Sequence, residues 1–292
     1  MRNHLRIYSG AAVLLAGAAA LCSGPASSQF GPQNPQVIED AKKAPTPRTP
    51  DGHPDLTGNW GGGGSGILAV VLHGAPEVSS DGKKITLQLN PIEVQNKVDA
   101  SLAARKDQAD AANFPPYKPD VTAKVDALGN DRLRNDPTFE CKPLGVPRMG
   151  APTEIMEVPG AIALLYANRN VYRVVPTDGR PHNKDADAMA DGDAVGHWEG
   201  DTLVVDVSNF SDDTWMGEAG YVHSPAMHVV ERLAREGNTL TYAATVEDPG
   251  VLTKPWVIRP RILLLGKPGE HVGEDYPCEE KDQSHLVNGN HH

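Results

Sequence analysis

His182, His197, His223 and His228 fall within 47 residues of a 292-residue chain, mostly at the ends of apolar runs or in the loops between them. Polar side chains in such places can converge on one mouth of a folded sheet. Two chemistries suit them. Imidazoles with a carboxylate can hold a divalent transition metal such as zinc, and the candidate set is His182, His223 and His228 with an oxygen from Glu231 or Asp206. No H-x-H or H-E-x-x-H spacing is present, and Pro225 stands between His223 and His228. The second chemistry needs no metal: a histidine beside a carboxylate passes protons to and from a bound organic molecule. His182, His228, Glu231 and Asp206 are the candidate catalytic residues, and Arg180, His197, Trp215 and His223 the candidate ligand contacts. Arg180 lies in the turn Asp178–His182 and could grip a carboxylate through two donors. Trp215 lies in the loop from Asn209 to Pro225, which could cover the mouth.

These residues must be positioned by strands. From Cys141 onward, short runs of β-branched and aliphatic residues alternate with turn residues: 154–158, 161–166, 171–175, 195–198, 203–207, 228–233, 240–246 and 256–265. They read as eight strands. Glu199-Gly200-Asp201 and Glu236-Gly237-Asn238 read as three-residue hairpin turns, so neighbours pair antiparallel in an up-and-down meander. Leu240, Tyr242, Ala244 and Val246 share one face and Thr241, Ala243, Thr245 and Glu247 the other, so one face is wet. Closure into a barrel-like sheet removes exposed edges.

The alternation raises a question within the strands themselves. In His228-Val229-Val230-Glu231-Arg232, either parity turns a charged side chain inward, and Asp206 interrupts Val204–Val207. An inward charge requires a partner. Glu231 or Asp206 could instead form a structural ion pair with Arg232 or Arg173.

Ahead of the strands, Asn90-Pro91-Ile92-Glu93 is a helix start, predicting a helix over 91–112 whose stripe Val94, Val98, Leu102 packs on the sheet. Residues 29–56, with Pro at 32, 35, 45, 47, 50 and 54, read as an extended lead-in without helix or ladder. Residues 57–292 form a single β-rich domain.

Arg2 and Arg6, the apolar run 7–21 and small residues ending at Ser28 form a secretory signal peptide, with cleavage between Ser28 and Gln29. Removing 28 residues that hold two arginines and no acid takes the charge from −11 to −13 and leaves 264 residues. That sign disfavours nucleic acid, and the short apolar run disfavours stable membrane insertion. A periplasmic or secreted location follows, where the remaining Cys141 and Cys278 would pair. No serine sits in a strand-to-helix elbow, and CxxCH is lacking.

The strings DGHPDLTGNW (51–60), CKPLGVPR (141–148), DGRPH (178–182), WEGDTLVVD (198–206), HVVER (228–232) and TKPW (253–256) together resemble a largely uncharacterised family of exported, β-rich proteins of environmental bacteria. That resemblance implies a secreted β domain and carries no activity. Gly58-Asn59-Trp60 is also similar to the G-x-W that opens the first strand of lipocalin- and avidin-like barrels, where a later Arg often packs on the Trp. It implies a calycin-like barrel.

Three functions fit. One end of the barrel could bind a small organic ligand as a carrier; the same residues could catalyse isomerisation, hydration or hydrolysis; or the protein could be an envelope interaction protein with scattered histidines. Convergence of a histidine and a carboxylate separates the first two from the third.

Overall fold

In the computed structural model the described residues are 35–61, 77–78, 85–86, 114–275 and 278. The signal segment, the glycine run 62–66, the apolar run 67–72 and the helix expected over 91–112 lie outside them.

The strands are β1 (Gly58–Gly61), β2 (Glu77–Val78), β3 (Ile85–Thr86), β4 (Glu154–Val158), β5 (Ala161–Leu165), β6 (Tyr172–Pro176), β7 (Asp193–Glu199), β8 (Thr202–Ser208), β9 (His228–Glu236), β10 (Thr239–Glu247), β11 (Trp256–Val257) and β12 (Arg261–Leu265). Strands β2 and β3 pair only with each other. The main sheet runs β6-β5-β4-β1-β12-β10-β9-β8-β7, with β11 beside β10. Each strand therefore neighbours the next in sequence, and β1 closes on β12, giving the nearly closed up-and-down barrel that the alternation predicted. The run 256–265 is broken at Pro260, which has no N–H to give the ladder, and the register against β10 shifts by one residue between β11 and β12.

Nine strands make this ring among the described residues, and strands that alternate in direction can close a ring only in even number. One neighbouring pair must be parallel. That pair is β6 and β7, which lie side by side with no ladder between them. Side chains close the seam instead: a Cβ on Gly196 would sit 3.0 Å from Val175 Cγ1 and 3.1 Å from Thr177 Cγ2. Residues 177–192, joining the two parallel strands, must travel the length of the barrel.

Alternation fills the interior. Leu203, Val205 and Val207 on β8, Val229 and Leu233 on β9, and Leu240, Ala244 and Val246 on β10 are buried together with Ile155, Ile162 and Leu164. Each such side chain contributes roughly 1.5–3 kcal/mol on burial. The hairpin loops are two residues long, not three: Glu199 pairs with Thr202, and Glu236 with Thr239. Gly200 and Gly237 take the left-handed conformation (φ +59° and +58°) that such loops need at their first position.

The lead-in corrects the expectation of a structureless stretch. Pro35–Lys42 is a helix, α1, with Pro35 at its first position where the missing N–H costs nothing. The chain after it straps the end of the barrel that carries the hairpin loops. The Thr46 hydroxyl accepts from Gly237 N, Arg48 forms a bidentate pair with Asp201, and Leu56 is fully buried. Trp60 gives its indole N–H to Leu56 O at 2.9 Å and lies 5.2 Å beneath the Arg235 guanidinium. The opposite end is closed by the loop 209–227 and by α2 (Pro119–Asn130), which is followed by the single turn α3 (Arg132–Asn135). Gly220 (φ +75°) lets this loop approach α2 so closely that a Cβ would meet Val125 O at 2.5 Å. Cys141 and Cys278 are joined with Cα atoms 5.6 Å apart, closing 137 residues and stabilising the fold by about 5 kcal/mol in the chain-entropy model.

Candidate functional site

Two polar clusters form on β8 and β9, one on each side of the barrel wall. The residues that pack inward on β8 are Leu203, Val205 and Val207, so Asp206 must point out. On β9 the inward set is Val229, Glu231, Leu233 and Arg235, which turns His228, Val230 and Arg232 outward. Parity therefore sends Glu231 to the core and His228 to the surface.

Outside, near the rim opposite the hairpin loops, Asp206 Oδ1 lies 2.8 Å from His182 Nε2 and 2.9 Å from His228 Nε2. His182 comes from the long 177–192 connection, and its other nitrogen, Nδ1, is 2.7 Å from Asp193 Oδ2. That oxygen also accepts from Asn183 N at 3.0 Å. Glu247, at the end of β10 and paired with His228 in the ladder, lies 3.8 Å from His228 Nδ1. The result is a chain of groups, Asp193, His182, Asp206 and His228, with the side chains of His182, Asp206 and His228 each about a third exposed. Partial burial works against charge at His182, but its bonds to Asp206 and Asp193 outweigh that and raise its pKa. Burial likewise opposes ionisation of Asp206, and hydrogen bonds from His182 and His228 reverse the effect and lower its pKa. The cluster is built to hold an imidazolium against carboxylates.

Inside, Glu231 Oε2 lies 2.7 Å from Arg173 Nη2, and Tyr242 donates to Glu231 Oε1 at 3.0 Å. Arg173 Nη1 donates to the Tyr166 hydroxyl at 3.1 Å. Burial, then the charge of Glu231, raises the Tyr242 hydroxyl pKa well above its ordinary value. Glu231, expected to be catalytic, is instead half of a buried ion pair with Arg173, because its strand parity aims it into the core.

The other candidates do not join either cluster. Arg180 is exposed and bound to Asp178. His197 Nε2 lies 3.3 Å from Glu199, which also binds Arg232. Trp215 is buried, with the Arg148 guanidinium 6.0 Å from its ring, so it plugs the barrel end. Arg148 itself is buried in a bidentate pair with Asp136, which accounts for the arginine of the 141–148 string. His223 is buried, with Nε2 2.9 Å from the Thr214 hydroxyl and Nδ1 3.1 Å from Ser224 O. Both of its nitrogens are engaged away from His182 and His228, so the metal set His182, His223, His228 is not assembled. Among the described residues no group of three or more His, Cys, Asp or Glu is arranged to hold a metal ion.

Sequence reading missed Asp193. A strand that begins at Val195 leaves it out; extended two residues upstream, the alternation puts Asp193, Val195 and His197 on the face of Asp206, since Val195 pairs with Asp206. Compared with family models, curated proteins and solved structures, the chain matches none.

Proposed function

We propose that this is an exported protein that holds a small organic ligand against the outer wall of its barrel, where the 177–192 connection meets β8 and β9. The observation that carries this reading is the convergence of His182 and His228 on one carboxylate oxygen of Asp206 at a partly exposed position. Scattered histidines would not meet in this way. Buried apolar side chains line the barrel interior, whereas His182, His228 and Asp206 meet at the partly exposed rim outside, so the ligand position moves from the mouth, where alternation alone would put it, to that rim. Export is supported by the signal-like residues 1–28 and by the disulfide, which persists in oxidising compartments. No helix among the described residues is long and apolar enough to cross a membrane.

The same contacts favour a second reading, acid–base catalysis. With Nε2–H given to Asp206, neutral His228 has a bare Nδ1 able to take a proton from a bound molecule, while Asp206 and the His182 imidazolium balance the charge that develops. Isomerisation, hydration and hydrolysis all use such a step.

A fragment library of small hydroxy and carbonyl compounds, observed by ligand-detected NMR, tests both. Binders should lose at least about tenfold in affinity with Asp206→Asn and His228→Ala and keep it with Arg232→Ala. Binders indifferent to both substitutions, or no binders at all, would overturn the site. A fragment that is turned over by the native protein and merely bound by His228→Ala would make it an enzyme.

A further inference from the structure

The seam between β6 and β7 has no ladder, and the 177–192 connection runs from one end of the barrel to the other across the outer wall. Its last part is firmly held: Asn209 donates to Ala186 O and Asp187 O, and Met189 exchanges backbone bonds with residues 209 and 211. Its first residue is held too, through Thr177 N to Gly160 O. Among the described residues, the hydrogen bonds and ion pairs tying 178–185 to the barrel come from His182 and Asn183, and all of them end on Asp193 or Asp206.

That tether needs two protons on one ring. His182 faces a carboxylate with each nitrogen, at 2.7 and 2.8 Å, and only the imidazolium carries N–H on both. A neutral ring must turn a bare nitrogen lone pair toward either Asp193 or Asp206, replacing a charge-assisted hydrogen bond with repulsion. We propose that residues 178–185 form a pH-sensitive strap, fastened across the wall while His182 is charged and released when it loses its proton.

The charged groups around the ring agree with this. Asp193 comes from β7 and Asp206 from β8; His228 from β9 shares the Asp206 oxygen, and Glu247 from β10 faces His228. On the strap itself Arg180 is taken by Asp178, and Lys184, Asp185 and Asp187 flank the ring in sequence. Farther along the connection, beyond the strap, Asp191 lies within electrostatic reach of Arg173 and Glu231. Carboxylates outnumber cations about His182, and its pKa is raised accordingly, with partial burial opposing and the bonds to Asp206 and Asp193 prevailing. The fastening is thus fully present below the ordinary histidine value, about 6.5, and is lost as pH rises through the raised value. On the acid side the lowered pKa of Asp206 keeps its share of the tether until pH falls below the usual carboxylate range.

Hydrogen exchange read by mass spectrometry on ligand-free protein tests the strap apart from any ligand. After correction for intrinsic rates, protection of peptides covering 178–185 should fall at least about tenfold between about pH 6 and about pH 9, while β8 and β9 peptides hold steady. His182→Gln, which cannot be charged, should show low protection at both ends of that range. Asp193→Ala removes the second fastening point and should also lower protection at about pH 6, so the outcome does not hang on one variant. Constant protection in the native chain, or His182→Gln as protected as the native chain at about pH 6, would overturn the proposal; steady β8 and β9 peptides exclude general unfolding as the cause.

Discussion

The barrel wall carries a carboxylate and a cation on each of its sides, and the two pairs live under different rules. Glu231 and Arg173, inside, have side chains 0% and 4% exposed. Asp206 and His182, outside, are 35% and 30% exposed. Glu231 and Asp206 sit on neighbouring strands one register step apart, since Val205 faces Glu231 and Asp206 faces Val230. One residue of parity separates a permanently paired charge in a low-dielectric core from an exchangeable one at a wet surface. Breaking the inner pair strands a charge in the core and is costly, whereas the outer group lies within reach of water and of protons.

The sharpest way to break this contrast is Glu231→Ala. It strands the Arg173 charge in the core and should cost about 3–5 kcal/mol in urea unfolding, with Arg173→Met added to Glu231→Leu recovering most of it. A cost below about 1 kcal/mol would mean that the inner pair is solvated after all. Asp206→Asn should cost about 1 kcal/mol or less, because its partners remain in contact with water. The same substitution should lower the His182 pKa, visible in ring NMR titrations, since one of its two carboxylates becomes a neutral amide. Arg232→Ala, which only breaks an exposed pair with Glu199, should stay within about 0.5 kcal/mol. A larger loss there would blur the line between the two sides.

Much of this was legible in the residues. The strands of the barrel announced themselves by alternation, and β10 shows the wet and dry faces its sequence predicted. The buried Glu231–Arg173 pair was one of two readings of HVVER, and parity alone could not choose between them. What chose was the neighbouring strand: Leu203, Val205 and Val207 fill the interior and force β9 to match them face for face. Other features have no local signal. The parallel seam follows from an odd count of strands, a property of the ring rather than of any segment. The meeting of His182 with Asp206 depends on the path of a connection whose own residues are polar and irregular. His223 read as a surface ligand because it lies in a loop, yet that loop is the plug of the barrel end, where a threonine hydroxyl and a carbonyl satisfy it.

The pairing of β1 with β12 bears on how the chain comes into being. About 200 residues separate these strands, so although β4 covers one edge of β1 early, its other edge waits for nearly the last strand synthesised. Folding is therefore expected to be slow and all-or-none, with register fixed late. A polypeptide stopped before Arg261 would present the bare edges of β1 and β10 at once, each a template for pairing with another molecule. Completion of strand β12 is what turns an open sheet with two bare edges into a nearly closed ring.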